Sequence, residues 1–131
     1  MGRRGPRRGR VLTGVFSVEQ ARAELLRLRP LLDEIVVVRA DLAELTAALA
    51  SDNPFTPLGG LPERKAAEAR LGELLADVRA AGVQLKGVAP LLVDFPAEFD
   101  GVPVLLCWLE GDAELAWYHR ADLGFAGRRP L

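Results

Sequence analysis

Apolar side chains recur every seven residues through the first part of the chain. The repeat consists of Ala21, Leu28, Ile35, Leu42 and Leu49. The complementary heptad position holds Leu31, Val38 and Leu45. This spacing places the apolar side chains on one stripe of a helix. Ser17 and Gln20 have the spacing of a capping box, and Pro30 predicts a kink or a break. The pattern predicts a long helix over about residues 18–50.

A second helical segment is predicted over about residues 62–81. Its apolar stripe consists of Ala67, Leu71, Leu74, Val78 and Ala81. Gly82 suits the position after a helix, and the proline- and glycine-rich residues 51–62 form a loop. The two helices predict a long, coiled-coil-like antiparallel hairpin, whose apolar surface favours a homo-oligomer, with a dimer preferred.

After Gly82 the pattern changes to the alternation that is typical of strands. Asp100-Gly101 separates two apolar runs, residues 91–99 and 102–109, and therefore predicts a β-hairpin. Short strands near residues 83–86 and 113–119 extend the sheet to about 83–119. We predict an α+β fold in which the helical hairpin packs on a small antiparallel sheet of three to four strands, followed by an irregular tail at 120–131.

The turns determine which side chains share a face of this sheet. A two-residue turn at Asp100-Gly101 pairs Asp94 with Cys107. A two-residue turn at Gly111-Asp112 then pairs Cys107 with Ala116. In this register His119 joins the apolar face, and the other face holds Asp94, Cys107 and Tyr118.

The preferred register predicts that Cys107 and His119 face opposite sides of the sheet, so that they share no metal ion. A three-residue second turn would exchange the faces, but it would also bury Glu114. A β-bulge would exchange the faces too, and the sequence leaves that alternative open.

The side chains with the most versatile chemistry lie close together in the sequence. The only cysteine, tyrosine and histidine and both tryptophans fall between Cys107 and His119. Cys107 is either a reactive thiolate or a small buried residue, and Asp94 beside it favours the second, because a carboxylate raises a thiol pKa. His119 is either structural or, with Asp122, a weak candidate metal ligand, since no common metal-binding spacing is present.

The tail adds a possible anion site. Gly124 and Gly127 permit a backbone nest beside two arginines, which suits phosphate or carboxylate, while an Asp122–Arg128 ion pair would explain the same residues equally well. Trp117 is either core or one wall of a site for a flat ligand. The candidate ligand-binding residues are Asp94, Cys107, Trp117, Tyr118, His119, Asp122, Arg128 and Arg129.

Charge is distributed unevenly along the chain. Residues 1–10 carry five arginines and no acid, so the net charge of −1 leaves −6 on the other 121 residues. We expect residues 1–12 to form a disordered arm and residues 13–131 a single domain. The arm suits nucleic acid or an acidic partner. Its arginines are Arg3, Arg4, Arg7, Arg8 and Arg10.

The number of cysteines and the lengths of the apolar runs indicate the cellular compartment. A single cysteine fits a reducing environment, and we find neither a signal peptide nor an apolar run of membrane-spanning length. These features predict a cytoplasmic protein with no membrane association.

Several strings in the last third resemble a known family. They are Val93-Asp94-Phe95-Pro96-Ala97, Leu106-Cys107-Trp108, Trp117-Tyr118-His119 and residues 122–130. Over residues 13–131 the chain resembles the prokaryotic family known as domain of unknown function 2203. The resemblance implies a fold and a set of marked positions, but no activity and no cofactor.

Three functions remain open at this point. The first is a small binding or interaction module that forms a homo-oligomer. The second is a ligand- or metal-binding protein, possibly catalytic, with its site around Asp94, His119, Asp122 and Arg128. The third is a nucleic-acid-associated factor that uses the arginine arm.

Overall fold

The structure is a computed structural model that describes residues 14–52 and 56–131. Two helices, α1 (Val18–Leu49) and α2 (Leu61–Arg79), precede an antiparallel sheet. Its strands are β1 (Gln84–Val88), β2 (Leu91–Phe99), β3 (Val102–Leu109), β4 (Trp117–Arg120) and β5 (Arg129–Pro130). Neighbours in sequence are neighbours in the sheet. The predicted α+β class is confirmed.

The sheet has five strands, where the sequence predicted three to four. The additional strand comes from the tail, for which no regular structure was predicted. Arg129 pairs with Tyr118, and a 3-10 turn over Phe125–Gly127 precedes this strand. The proposed arginine arm lies outside the described residues. Among those that are described, no helix combines the length and the apolarity needed to cross a membrane.

The described chain divides into two compact units. One contains residues 14–28 and Arg79–Leu131, and so joins the first part of α1 to the sheet. The other contains Arg29–Val78, the rest of α1 and nearly all of α2. The single domain expected over residues 13–131 stays a prediction.

Helix α1 begins at the predicted capping box. The Gln20 backbone N–H donates to Ser17 Oγ at 3.0 Å, and the Ser17 N–H donates to Gln20 Oε1 at 2.9 Å. These two bonds satisfy donors that the first turn of a helix leaves unpaired. The helix continues through Pro30, so the proline does not end it.

Within the second unit, α1 and α2 run antiparallel. Arg70 donates from Nε and Nη2 to the two carboxylate oxygens of Glu34, at 2.7 and 2.8 Å. Farther along α1, Glu44 accepts a hydrogen bond from Thr56, which precedes α2. The contact that lies farther along α1 is made with a residue closer to the start of α2, so the two helices run in opposite directions. The buried side chains of this unit include Leu32, Ile35, Leu45, Leu74 and Val78.

The first β-hairpin has the predicted register. Asp100 and Gly101 have φ angles of 51° and 79°, the two left-handed positions that an Asp-Gly hairpin turn needs. The two strands pair from Phe99 opposite Val102, next to the turn, to Asp94 opposite Cys107. One face of the hairpin is apolar, and its buried members include Val93, Phe95, Ala97, Val104 and Leu106.

The predicted register of β4 is wrong by one residue. Cys107 pairs with Trp117 instead of Ala116, and Leu105 pairs with His119. Because side chains alternate between the two faces of a sheet, this shift places every β4 side chain on the face opposite to the predicted one. His119 therefore lies on the face of Cys107, and Tyr118 lies on the apolar face.

The reason for this error is the long connection over residues 110–116, which contains no strand. Gly111 has a φ of 102°, and the Asp112 N–H donates to the Leu109 carbonyl, so the turn lies one residue earlier than predicted. Arg22 holds the other end by donating from Nε and Nη2 to the Leu115 carbonyl, at 3.1 and 3.0 Å. Glu114 remains exposed, so the observed register does not bury its carboxylate.

Two glycine-to-alanine substitutions should change stability in opposite directions. Neither added methyl group would meet an atom within 4 Å, so the backbone alone decides. Gly101→Ala should lower the free energy of unfolding by about 1 kcal/mol, because the left-handed region disfavours a side chain. Gly72→Ala, inside α2, should raise it by about 0.5–1 kcal/mol. Urea unfolding of both variants tests this, and equal changes would contradict it.

Candidate metal centre

Asp94, Cys107 and His119 meet on one buried face of the sheet, from three neighbouring strands. Asp94 on β2 lies directly opposite Cys107 on β3. His119 on β4 lies opposite Leu105, two positions from Cys107 and therefore on the same face. One ligand atom from each of the three side chains lies within 4.8 Å of the other two. The prediction that Cys107 and His119 point to opposite faces is wrong.

The Asp94 carboxylate is the charge at the centre of this cluster. Asp94 is only 1% exposed to solvent. Oδ2 accepts a hydrogen bond from Lys86 Nζ at 3.1 Å and lies 3.4 Å from His119 Nε2. Oδ1 is buried and accepts no hydrogen bond from any part of the described chain. A buried carboxylate oxygen in this state is unusual, because desolvation without a partner costs free energy.

Lys86 is a site residue that sequence reasoning missed. It lies on β1, where the pairing with β2 shifts between Leu85 and Gly87. Gln84 opposes Asp94, so alternation along β1 places Lys86 on the same face. The sequence analysis suggested a tail arginine as the partner of Asp94, and the structure supplies this lysine instead. The alternation of polar and apolar residues in β1 was the available signal.

The hydrogen bond of the His119 ring shows which nitrogen is available for a ligand. Nδ1 lies 2.9 Å from the Arg120 carbonyl oxygen, which can only accept, so Nδ1 carries a proton. Nε2 faces Asp94 Oδ2 at 3.4 Å; it offers a lone pair when the ring is neutral and donates a proton to the carboxylate when the ring is charged. A lone pair next to a carboxylate is stabilised by a cation that both groups share. Metal-bound histidines commonly use their second nitrogen in this way.

The Cys107 thiol is fully buried. Burial and the negative charge of Asp94 raise its pKa to about 12. A thiol with this pKa is protonated at neutral pH, and so it is a poor nucleophile without a metal ion. The effect of Asp94 has the direction that the sequence predicted.

Arg128 is held near the cluster by two aromatic rings. Its guanidinium carbon lies 4.6 Å from the ring centroids of both Trp117 and Phe125. Nη2 lies 3.7 Å from Asp112 Oδ2, whereas Nη1 is buried and has no hydrogen-bond acceptor in the described residues. Because Trp117 is the cross-strand partner of Cys107, the arginine is next to the candidate ligands.

The other predicted site residues lie apart from the three-residue cluster. Asp122 is 60% exposed and pairs with Arg120, whose hydrogen bond lowers the pKa of Asp122. The suggested pair of Asp122 with Arg128 is not formed, because Asp112 is nearer to that arginine in the fold. Tyr118 packs edge-on against Phe99 on the opposite face, with ring centroids 5.0 Å apart. Arg129 is exposed on β5.

The Cys107 thiol should be inert in the native protein. We expect no alkylation by iodoacetamide at neutral pH and complete alkylation after unfolding. Its pKa lies above the usual 9.0, so the folded state binds the proton more tightly than the unfolded state. The free energy of unfolding should therefore be unaffected by this group below about pH 9 and fall from there towards pH 12.

A variant tests the cause of this raised pKa. Asp94→Asn should lower the pKa of Cys107, because it removes a negative charge but leaves the thiol buried. The ultraviolet absorbance of the thiolate during a pH titration would measure the shift. An unchanged titration would show that the carboxylate does not act on the thiol.

Comparison with known proteins identifies the family of this chain. No curated protein and no solved structure matched the chain. A family model described as "Uncharacterized conserved protein (DUF2203)" matches residues 14–131, which include both helices and all five strands. The match covers most of the 131 residues. The chain therefore belongs to the DUF2203 family.

Proposed function

We propose that this protein binds a divalent transition-metal ion, zinc by preference, through Asp94, Cys107 and His119. The observation that carries the proposal is the convergence of one ligand atom from each residue within 4.8 Å in a buried site. Tetrahedral zinc with bonds of about 2.0–2.3 Å places its ligand atoms about 3.5 Å apart. A small inward movement of the three side chains would therefore bring their ligand atoms to zinc-binding distances.

The chemistry of the ligands favours zinc or a similar ion. Thiolate and imidazole select zinc and its neighbours over magnesium and calcium, which prefer oxygen. One thiolate and one carboxylate together balance the charge of a divalent ion. The metal would bind the buried Asp94 Oδ1, which has no hydrogen-bond partner among the described residues, and would lie between this carboxylate and His119 Nε2.

A nucleophilic cysteine enzyme is supported less well. The group beside Cys107 is the carboxylate of Asp94, which raises the thiol pKa, whereas a cysteine nucleophile needs a base or a cation that lowers it. The strongest competing explanation is a structural cluster in which Lys86 and His119 only neutralise Asp94. The two explanations differ in one measurable property, the stoichiometric uptake of a metal ion.

Metal uptake is the first test. Native mass spectrometry of metal-free protein after addition of one equivalent of zinc should show one ion per chain. Cobalt should give the visible spectrum of a tetrahedral site together with a thiolate charge-transfer band. Asp94→Asn, Cys107→Ala and His119→Ala should each weaken binding by more than about 100-fold, because even outer-shell partners contribute 10–100-fold.

The matched control is Asp122→Asn, which removes an exposed carboxylate with its own arginine partner. This variant should bind zinc like the original protein. Folding of each variant would be checked by circular dichroism. If the wild-type chain takes up no metal, or if Cys107→Ala binds as tightly as the wild type, the metal proposal is wrong and the structural explanation is preferred.

The pH dependence of binding provides a second test. The thiol is protonated at neutral pH, and a metal ion binds the thiolate, so each zinc ion must displace the Cys107 proton. Zinc affinity should therefore rise about tenfold per pH unit in the neutral range. Calorimetry in two buffers with different ionisation enthalpies should find about one proton released per ion. Binding without proton release would exclude the thiol as a ligand.

The other functional hypotheses from the sequence stay predictions. The interaction module needs a homo-oligomer, and the native mass spectra would report the number of chains directly. The nucleic-acid hypothesis depends on the five arginines within residues 1–10, and removal of that segment would test it. Cytoplasmic location stays a prediction as well.

A further inference from the structure

The proposed metal centre lacks one ligand. Zinc prefers four ligands, and the cluster offers three. Among the described residues, no further histidine, cysteine, aspartate or glutamate belongs to this group. A ligand from solvent or a small molecule would complete the tetrahedron.

The charge of the loaded site favours an anion at this position. Without metal, the Lys86 ammonium compensates the Asp94 carboxylate through their 3.1 Å contact. With a divalent ion bound, the ion is balanced by the Cys107 thiolate and the same carboxylate, and the lysine charge has no counter-ion within the cluster. The loaded centre then carries one net positive charge, at the partly exposed Lys86 ammonium, and this charge would attract an anion.

Arg128 offers a hydrogen-bond donor close to the same centre. Its positive charge acts on Cys107 and opposes part of the rise in the thiol pKa. The rings of Trp117 and Phe125 hold the guanidinium plane in place, which prepares it for a planar anion. The buried Nη1 has no acceptor in the described residues, and an oxygen of a bound ligand would supply one.

Access and size restrict the ligand further. The Lys86 side chain is 42% exposed, whereas the side chains of Asp94 and His119 are almost fully buried. The lysine is thus the member of the cluster that solvent reaches, and a ligand of the buried metal position would have to be small. A carboxylate has one oxygen for a metal ion and a second oxygen for a guanidinium N–H.

We infer that the metal centre binds a small monocarboxylate as its fourth ligand, selected by Lys86 and Arg128. This inference rests on the proposed metal site. It makes the site an anion receptor that becomes functional only when the metal is loaded. In the metal-free state, the lysine is occupied by Asp94, and no metal position is open to the anion.

The test uses cobalt-loaded protein and acetate as the probe. Acetate should change the visible cobalt spectrum and saturate at one equivalent. Acetamide, which has the same shape without the charge, should leave the spectrum unchanged. Measured at cobalt concentrations that saturate each variant, Lys86→Met and Arg128→Met should weaken acetate binding about tenfold, as expected when a charge-assisted hydrogen bond is lost. Arg129→Met, one residue away and exposed, is the matched control and should bind acetate normally.

The outcomes separate the two proposals. Failure of the wild type to take up cobalt overturns both of them. Normal cobalt uptake with no response to acetate overturns only the anion inference. A response to azide or chloride but not to acetate overturns the carboxylate class. Unchanged acetate affinity in Lys86→Met, whose half-exposed position makes misfolding an inadequate explanation, overturns the role of the lysine.

Discussion

The central constraint on the sheet is the buried negative charge of Asp94. A carboxylate that is 1% exposed must have cations or hydrogen-bond donors around it, because water cannot stabilise it there. The structure brings Lys86 from one neighbouring strand and His119 from beyond the other. Lys86 is partly exposed, so its ammonium remains hydrated while it approaches the buried oxygen. One oxygen of the carboxylate still has no hydrogen-bond partner in the described chain, and this atom is the one that the proposed metal ion would bind.

The site also shows how strand register determines chemistry. Cys107 and His119 share a face only because β4 pairs one residue away from the predicted register. In the predicted pairing, the same residues would form an apolar face with a buried histidine and a second face on which Cys107 lies beside Asp94 without the imidazole. A change of one residue therefore separates a possible three-ligand centre from an ordinary sheet.

The sequence predicted the features that depend on short-range interactions. The capping box at Ser17 and the Asp100-Gly101 turn involve only a few adjacent residues, and both formed as expected. The Asp94–Cys107 pair followed because the turn fixes the register of its hairpin. The family resemblance was confirmed as well.

The missed features depend on contacts between residues far apart in the chain. The connection before β4 is held by Arg22, which lies 93 residues from Leu115, and no local pattern announces that contact. The partner of Arg128 is Asp112, and the nearer acid in sequence, Asp122, pairs with Arg120. Turn length, and with it the face of His119, was decided by these contacts. The helices, the first β-hairpin and most of the candidate residues could be predicted from the sequence, but the face of His119, the role of Lys86 and strand β5 could not.

The tail has a larger part in the site than an irregular segment would have. By pairing with β4, β5 fixes the backbone next to Arg128, and the turn at Phe125–Gly127 brings the ring of Phe125 against the guanidinium. The arginine is thus positioned by elements that follow the last proposed ligand, His119, in sequence. Loss of the tail would remove the cation beside Cys107 and would leave β4, which carries His119, as the edge strand of the sheet. In the proposed centre, the tail therefore supports both the strand that holds the imidazole and the arginine that would select the fourth ligand.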